Sequence, residues 1–495
     1  MTTLTSLARA IAAERGTAQR ITTVRHVHIH ERPLVLVPLT LAGEANAPLA
    51  AMVGTARDDA RLLVVAQPRN RDQRFGFAAD LAEIVLDYVA LFTTQVELVA
   101  TNRGRESRAR YADGPQLIVP NPAGAAFVRM FGRSTRFRKT DGQWAVPMTV
   151  PVLGRWLTHF AERYDHPGSA ALVALTSALT AHWATGQSAL EDANLAALMG
   201  WLDPPAGMTG AEAGEAAEDP LAFPPAGPVT DPTFDNEVLA PLIDAYTDNP
   251  GEPALARLVA AVRGQIEPTW DLVWRGVELL RALPPGERVA VRWGADRDAY
   301  SSMVLGLADG RPPQPKRDGA VAAAGRLNRM ERDQATYDVQ RAFDDPLVLA
   351  EYRLSGEAFA GVVTAAQPDR VDTSGRRRVL RPHVTVLTQD PVRFTPGMEL
   401  TSPARPSQKA TVVSVHAGAA DKAEVVLELA GGMGSSLQAP PGSVPEVGER
   451  VCYTAFGDAY QQTPDFPARE DTPWTHGGPP RDYVPTDGDA AEDWS

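Results

Sequence analysis

Three histidines at alternate positions are the first residues of this chain that could do chemistry. His26, His28 and His30 lie in the stretch RHVHIHE, and alternate residues of a β-strand point to the same face of a sheet. Two of them could ligate one metal ion, whereas the third would lie about 6.6 Å further along the strand. No neighbouring carboxylate cluster offers the remaining ligands that zinc or iron requires. The pattern therefore predicts the polar face of a strand, and leaves a metal site or a titrating contact to an acidic partner or phosphate as alternatives.

Two arginine-rich stretches, NRGRESRARY and VRMFGRSTRFRK, could bind phosphate. Guanidinium groups, hydroxyl side chains and a glycine are components of phosphate-backbone contacts, and the interleaved Phe131 and Phe137 could stack on unpaired bases. The alternative is a solvated surface with both phenylalanines in the core. The candidate nucleic-acid-binding residues are Arg103, Arg105, Arg108, Arg110, Arg129, Arg133, Arg136, Arg138 and Lys139.

A third pattern follows the residue order of metal-dependent nucleases of the PD-(D/E)xK class. Glu44, Asp59 and the stretch Gln67-Pro68-Arg69 are predicted on a helix, at a strand start and on a strand. Enzymes of this class hold Mg²⁺ with two acidic groups and orient the attacking water with a lysine. Here Gln67 replaces one carboxylate, and Arg69, which stays protonated, replaces the lysine. We therefore expect any such site to be degenerate, with no catalytic residues, no metal and no cofactor.

Other catalytic signatures are missing from the sequence. It contains neither the phosphate-binding lysine motif of P-loop ATPases nor a dinucleotide-binding glycine motif nor a hydrolase nucleophile elbow. The single cysteine, Cys452, excludes an intrachain disulfide framework and a cysteine-based zinc site.

Charge is distributed unevenly along the chain. Residues 1–140 carry 19 Lys and Arg against 12 Asp and Glu, whereas residues 141–250 carry 2 against 15, and the whole chain has a net charge of −13. This asymmetry indicates a basic binding region joined to acidic ones. No apolar run is long enough to span a membrane, and charged residues interrupt the N-terminal stretch MTTLTSLARAIAAERGT, which argues against a signal peptide. We expect a cytoplasmic protein without membrane contact.

The periodicity of apolar residues predicts a multidomain α+β protein. Short apolar runs alternating with a helical stripe indicate an N-terminal α/β layer domain that includes the basic region, and ERVAVRW (287–293) is predicted as a later strand. Short alternating segments between Gly and Pro turns indicate a small antiparallel β-barrel near the C-terminus. The predicted domains are 1–145 (basic α/β domain), 146–202 (helical segment), 203–232 (acidic Pro/Gly/Ala linker), 233–345 (helical domain with a long stalk-like helix), 346–456 (β-barrel) and 457–495 (disordered acidic tail).

Residues about 319–455 resemble the stalk-and-barrel accessory region of Upf-like superfamily-one helicases. The resemblance rests on the stretches EYRLSGEAFAGVVTA, VLTQDPVRFTPGMELTSP and PEVGERVCYTAF. In those helicases the motor belongs to the same polypeptide, but its phosphate-binding lysine is missing here. The resemblance therefore implies a barrel that works beside a motor on another chain.

These features together predict a non-catalytic accessory factor that binds nucleic acid, a helicase-type motor, or both. DNA repair and defence against foreign DNA are the processes that would use such a factor. Two alternatives remain open at this stage: a divergent nuclease using Glu44 and Asp59, and a structural scaffold that assembles through the barrel and the Trp-bearing helices.

Overall fold

The computed structural model describes residues 2–41, 47–101, 106–220, 223–224, 227–375, 377–417, 422–457 and 465. The described chain separates into two compact units. The larger unit consists of Thr5–Met330, and the smaller unit consists of Glu331–Asp465 together with residues 2–4. The described residues form a mixed α+β fold, which confirms the predicted fold class.

The larger unit contains nine strands and eleven helices among its described residues. The strands are β1 (Gln19–Arg20), β2 (Leu34–Thr40), β3 (Pro48–Gly54), β4 (Arg61–Val64), β5 (Val96–Thr101), β6 (Glu106–Tyr111), β7 (Leu117–Val119), β8 (Leu172–Ala174) and β9 (Trp183–Ala184). The helices are α1 (Thr3–Arg15), α2 (Arg71–Ala90), α3 (Pro122–Thr135), α4 (Thr149–Tyr164), α5 (Leu175–Thr180), α6 (Leu195–Leu202), α7 (Gly210–Ala216), α8 (Pro232–Phe234), α9 (Ala240–Asp248), α10 (Glu252–Arg281) and α11 (Val289–Ala308).

A five-stranded mixed sheet forms the centre of this unit. Its strand order is β4-β3-β2-β7-β8, with β2, β3 and β4 antiparallel to one another and β7 and β8 parallel to β2. Every residue of β2 and β3 is buried. This is expected for β2, whose continuous apolar run predicted a strand, whereas β3 was not predicted. Leu36 packs with α2, α3 and α4 on one face, and Val37 packs with α5, α6 and α10 on the other. The sheet is therefore the middle layer of three.

The histidine stretch is not a β-strand, contrary to the prediction. Residues 26–31 follow an irregular path, and side chains distant in sequence satisfy their backbone groups. The His26 N–H donates to His182 Nε2 (2.9 Å) and the His30 N–H donates to Gln116 Oε1 (2.8 Å). Gln116 Nε2 also donates to the carbonyl oxygen of His28 (2.7 Å). Because these partners replace a neighbouring strand, alternation along the stretch does not place the three imidazoles on one sheet face.

Two other segments differ from their predicted secondary structure. ERVAVRW contains the start of helix α11, in which Val289 and Trp293 are buried four residues apart while Val291 is 64 % exposed. Four-residue spacing, and not alternation, marks the buried face of a helix. The stretch 172–183 lies in the predicted helical segment 146–202, yet it is divided into β8, α5 and β9 because Leu172 lies inside the central sheet.

Helix α7 lies within the segment 203–232. Thr209 and Glu212 form a reciprocal capping box at its start, which satisfies two of the amide groups left open at a helix N-terminus. Gly214 of α7 packs against the indole of Trp201 on α6, where an added Cβ would lie 2.5 Å from Nε1. This close contact fixes α7 against α6.

The smaller unit contains the predicted antiparallel barrel. Its strands are β10 (Ala358–Gln367), β11 (Val371–Asp372), β12 (Val379–Leu380), β13 (His383–Thr388), β14 (Glu399–Ser402), β15 (Arg405–Ala417), β16 (Ala423–Ala430) and β17 (Arg450–Thr454). Six of them close into a barrel in the order β10-β13-β16-β15-β14-β17, while β11 and β12 form a hairpin. Phe359, Val386 and Leu427 are among the fully buried residues of the barrel core.

Two helices precede the barrel along the chain. The predicted long helix is confirmed as α12 (Ala320–Asp344), and α13 (Pro346–Ser355) follows it. The predicted β-barrel segment 346–456 therefore begins with a helix, because the stretch VLAEYRLSGE lies mostly in α13. Asp345 caps this helix by accepting from the Leu347 N–H, and Gly356 ends it in a left-handed conformation with φ of 82°.

Candidate nucleic-acid interface

His30 uses both ring nitrogens inside the protein. The Arg32 N–H donates to its Nδ1 (2.9 Å), so the proton is on Nε2, which donates to Asp113 Oδ2 (3.0 Å). The other oxygen of Asp113 accepts from Trp293 Nε1 (2.9 Å). Burial alone would raise the pKa of Asp113, but hydrogen bonds from His30, Trp293 and the Gly114 N–H outweigh it and lower the pKa to about 2. His30 therefore positions Asp113 and has no nitrogen left for a metal.

His28 stacks on the indole of Trp293, with ring centroids 4.1 Å apart and planes 15° from parallel. Burial, followed by the charge of His30, lowers the pKa of His28 to about 4. Among the described residues, no group of three or more His, Cys, Asp or Glu side chains could hold a metal ion. The three histidines of the stretch RHVHIHE thus serve packing and hydrogen bonding in this part of the fold.

The nuclease-like residues are far apart. Asp59 lies in the turn before β4, whereas Gln67 and Arg69 lie in the loop after it, and a four-residue strand is about 13 Å long. Asp59 lines a cavity of about 210 Å³, and Gln67 and Arg69 line a different cavity of about 530 Å³. Glu44 lies outside the described residues. One metal ion cannot be bound by both Asp59 and Gln67, and the predicted placement of Gln67 and Arg69 on a strand is wrong.

The first arginine stretch lies on β6 beside helix α11. Arg108 forms an ion pair with Asp298 (2.6 Å), and Arg110 binds Glu97 (2.6 Å), Asp298 (3.3 Å) and the carbonyl oxygen of Gly294 (3.0 Å). Carboxylates of the same chain therefore compensate both guanidinium charges. The other two residues of this stretch, Arg103 and Arg105, lie outside the described residues.

Arg129, on α3, is likewise paired. Its guanidinium donates to both oxygens of Asp165 at 2.8 and 2.6 Å. This bidentate geometry is the strongest form of an arginine–carboxylate contact. Arg129 therefore contributes less net positive charge to the surface than the sequence indicates.

The second arginine stretch has a buried and an exposed part. Phe131 and Phe137 are 2 % and 9 % exposed, so the expectation that they stack on bases is wrong. Arg136 is also buried, and its guanidinium donates to the carbonyl oxygens of Gln314 (2.9 Å) and Pro315 (3.1 Å). These bonds attach the basic, proline-rich loop 310–317 to the C-terminal end of α3.

Arg138 lies in an alternating series of cations and aromatic rings. Its guanidinium lies 5.5 Å from the Phe75 ring, which also contacts Arg71 at 4.7 Å. Arg71 in turn lies 5.5 Å from the ring of Trp144 and donates to the Trp144 carbonyl oxygen (2.8 Å). Arg138 is 6 % exposed and Phe75 is 3 % exposed, so Trp144 forms the solvent-exposed end of this series. Cation–aromatic contacts of this kind contribute about 0.5–2 kcal/mol each.

Four exposed cations lie around these contacts. Arg133 is on the last turn of α3 and Lys139 follows Arg138, while Lys316 and Arg317 lie on the attached loop. The Lys316 ammonium lies 5.8 Å from the ring of Phe137, which brings the loop next to the second arginine stretch. We call Arg133, Lys139, Lys316 and Arg317, together with Arg71 and Trp144, the basic face.

Sequence reasoning identified only part of this face. It singled out Arg133 and Lys139, but not Arg71, Trp144, Lys316 or Arg317 as binding residues. The signal available for Lys316 and Arg317 was the basic turn GRPPQPKRDG, and that for Trp144 was an aromatic residue within the polar stretch TDGQW. Neither pattern specifies that the segments meet.

No protein-family model, curated protein or solved structure matches this chain. In the part of the chain that the structure describes, no helix is both long enough and apolar enough to cross a membrane. The arrangement of charge and aromatic groups on the basic face is therefore the main guide to function.

Proposed function

We propose that the larger unit binds nucleic acid through the basic face, as a non-catalytic accessory factor. The observation that carries the proposal is the meeting of three segments distant in sequence, near residues 71, 133–144 and 310–317. The segments at 133–144 and 310–317 contribute the exposed cations Arg133, Lys139, Lys316 and Arg317, whereas Arg71 is paired with Asp72 (3.1 Å). Phosphate oxygens along a nucleic-acid backbone are the repeated anionic ligands that such a surface fits.

The buried arginines support this surface from below. Arg136 donates to the carbonyl oxygens of Gln314 and Pro315 and to the Thr158 hydroxyl, and Arg138 donates to the carbonyl oxygen of Ser134 (2.8 Å). We therefore assign them a positioning role and assign phosphate contact to the exposed side chains. A charge reversal at Arg136 would disrupt the fold of the face, so it cannot test binding cleanly.

Binding to labelled DNA and RNA over about 50–200 mM salt tests the proposal. The variant combines Lys139→Glu, Lys316→Glu and Arg317→Glu. If all three contact phosphates, the variant loses most of its affinity and the slope of log affinity against log salt becomes shallower by about 3.

A matched control has the same change in net charge at another surface. Arg257→Glu and Arg263→Glu on α10, combined with Arg20→Glu, reverse three exposed cations that lie outside the basic face. This control should bind as tightly as the wild type. Equal losses in both variants would indicate only a general attraction to positive charge, and tolerance of the basic-face reversal would favour the scaffold alternative.

We further propose a helicase-type motor as the protein partner, acting in DNA repair or in defence against foreign DNA. The succession of a long helix, a short helix and a closed six-stranded barrel supports this partner, because it has the order that the stalk-and-barrel resemblance implies. An amine-reactive cross-linker can test it. Lys409 and Lys422 report on the smaller unit, whereas Lys139 and Lys316 report on the larger.

Cross-linking should be done in the cells that produce the protein, with the full chain. We expect a nucleic-acid-dependent ATPase linked to Lys409 or Lys422. Cross-links from these two lysines to proteins without motor activity would contradict the proposed partner, and would leave nucleic-acid binding by the basic face unaffected.

A further inference from the structure

We propose that Trp144, backed by Arg71, is a stacking platform for an unpaired base, so that the ligand of the basic face is single-stranded nucleic acid. This inference rests on the proposed function and narrows it to one class of ligand. The three observations that carry it are the exposure of the Trp144 indole, the rigidity of its loop, and the position of the Arg71 guanidinium.

Among the described tryptophans, Trp144 is the most exposed. It is 67 % exposed, whereas Trp183 is partly buried and the others (Trp156, Trp201, Trp270, Trp274 and Trp293) are 7 % exposed or less. Tryptophan has the largest apolar surface of the common side chains, and leaving it in water forgoes the stabilisation that burial provides. A ligand that covers the ring would restore that stabilisation.

The loop that carries Trp144 is held at both ends. The Val146 N–H donates to the carbonyl oxygen of Lys139 (2.9 Å), and Val146 itself is buried in the core. Within the loop, Gly142 has a φ of 81°, which a glycine adopts without strain. A ring presented by a closed loop needs little further ordering when it binds, which lowers the entropic cost of stacking.

Arg71 fixes the indole from one side. Its guanidinium lies 5.5 Å from the ring centroid of Trp144 and also donates to the carbonyl oxygen of that residue. Arg71 also forms an ion pair with Asp72 (3.1 Å), and only 21 % of the Arg71 side chain is exposed because Phe75 packs against it. One side of the indole is thus supported by a cation, and the high exposure of the ring leaves room for a base to stack.

A base can stack on an indole only if its own face is free. In a duplex the faces of the bases are covered by their neighbours, whereas single strands offer them to aromatic side chains. Lys139 is five residues from Trp144 and Lys316 lies beside Phe137. Phosphates on either side of a stacked base would form ion pairs with Lys139 and Lys316.

A lipid surface is a different ligand that could attract cations and an exposed tryptophan. Met148, 78 % exposed, is a second large apolar side chain exposed close to Trp144 in sequence. Peripheral membrane binding uses a broad apolar face that enters the lipid boundary. Two side chains provide a small apolar area for that purpose, so the observations favour nucleic acid.

The experiment measures affinity of the full-length chain for an oligothymidylate of about 12 nucleotides, a length within the usual site size of single-strand-binding surfaces. A hairpin duplex of equal phosphate number and anionic phosphatidylserine vesicles are the comparison ligands. Trp144→Ala should weaken single-strand binding about 5- to 150-fold, the range that loss of one base–aromatic stack gives. Trp144→Phe, which keeps an aromatic ring, should retain most of the affinity, and duplex binding should change less than about twofold.

The outcomes separate this inference from the proposed function. If the basic-face reversal abolishes binding but Trp144→Ala does not, stacking is refuted and phosphate contact stands. Equal losses for single strand and duplex would also refute the base-stacking role. If the wild type binds neither nucleic acid, both proposals fail, and binding to vesicles alone would identify a lipid surface as the ligand instead.

Discussion

Acidification should destabilise the larger unit through His28. Burial lowers the pKa of this imidazole from 6.5 to about 4. Between these pH values His28 is therefore protonated in the unfolded chain and neutral in the folded chain. Stability rises with pH wherever the unfolded state binds more protons. The contribution of His28 is therefore fully present above pH 6.5 and is lost as the pH falls from 6.5 toward 4.

The size of the effect follows from the two pKa values. At pH 7 the imidazole is mostly neutral in both states, whereas at pH 5 it is protonated in the unfolded chain and mostly neutral in the folded one. The difference in the free energy of unfolding between these two pH values is about 2 kcal/mol. The groups around His28 are Trp293, His30, Asp113, Arg25 and Arg297, and of these Asp113 alone opposes the shift.

The variant His28→Phe isolates this contribution. Phenylalanine keeps a ring against Trp293 and removes His28 Nε2, a buried nitrogen without a hydrogen-bond partner among the described residues. We expect the variant to be as stable as the wild type or more stable at pH 7, and to lose about 2 kcal/mol less between pH 7 and 5. Other buried groups, such as His159 with its pKa lowered to about 3, contribute equally to both proteins.

Urea unfolding followed by tryptophan fluorescence is a suitable assay. All tryptophans in the described part of the chain lie within Thr5–Met330, so emission reports chiefly on the larger unit. If the wild type and His28→Phe lose the same stability between pH 7 and 5, the imidazole is not kept neutral by burial and the reasoning is refuted.

Two further predictions concern buried positions in each unit. Asp296 is 3 % exposed and accepts from Arg163, the Ser169 hydroxyl and the Ala170 N–H, so Asp296→Asn should cost about 3 kcal/mol in urea unfolding by leaving the partly buried guanidinium of Arg163 unpaired. The exposed pair of Asp203 and Arg275 is the control, since Asp203→Asn should cost less than about 1 kcal/mol; equal costs would show that burial does not decide the effect. In the barrel, Gly361→Ala would place a Cβ 2.4 Å from the Leu387 carbonyl oxygen and should cost about 1–3 kcal/mol, measured by hydrogen exchange of β10 and β13. Unchanged exchange there would contradict the close approach.

The parts of the fold that the sequence predicted well are those in which the local pattern of apolar residues is enough to identify the element. β2 is buried on both faces, so its apolar run is continuous and predicted a strand; the neighbouring β3, equally buried, was not predicted. The barrel strands alternate, as β13 does with its buried Val384 and Val386. The long helix α12 also lies where the sequence predicted one, although its buried residues are confined to its C-terminal end.

The histidine stretch illustrates why other parts could not be predicted. Its alternation is that of a strand, but its path is decided by Gln116 and His182, which lie about 90 and 150 residues away in sequence. No local pattern reveals which distant side chain will satisfy a backbone amide.

The basic face has the same limitation. Sequence identified cationic stretches, yet it could not separate Arg136, which holds a loop in place, from Lys139, which is exposed. Both are basic residues in one short run. Only packing decides which of them is exposed to a ligand. The sequence gives no specific signal at Trp144, because a single aromatic residue in a polar loop is common in any sequence.

The sheet order has a practical consequence for anyone who wants to cut this chain into fragments. A fragment ending at residue 145 would lack β8, which pairs with β7. Strand β7 would then be an unpaired edge strand, able to pair with other chains. It would also lack α4 and the loop held by Arg136. Such a fragment is expected to aggregate and to present an incomplete surface, so its failure to bind a ligand would say nothing about the intact protein.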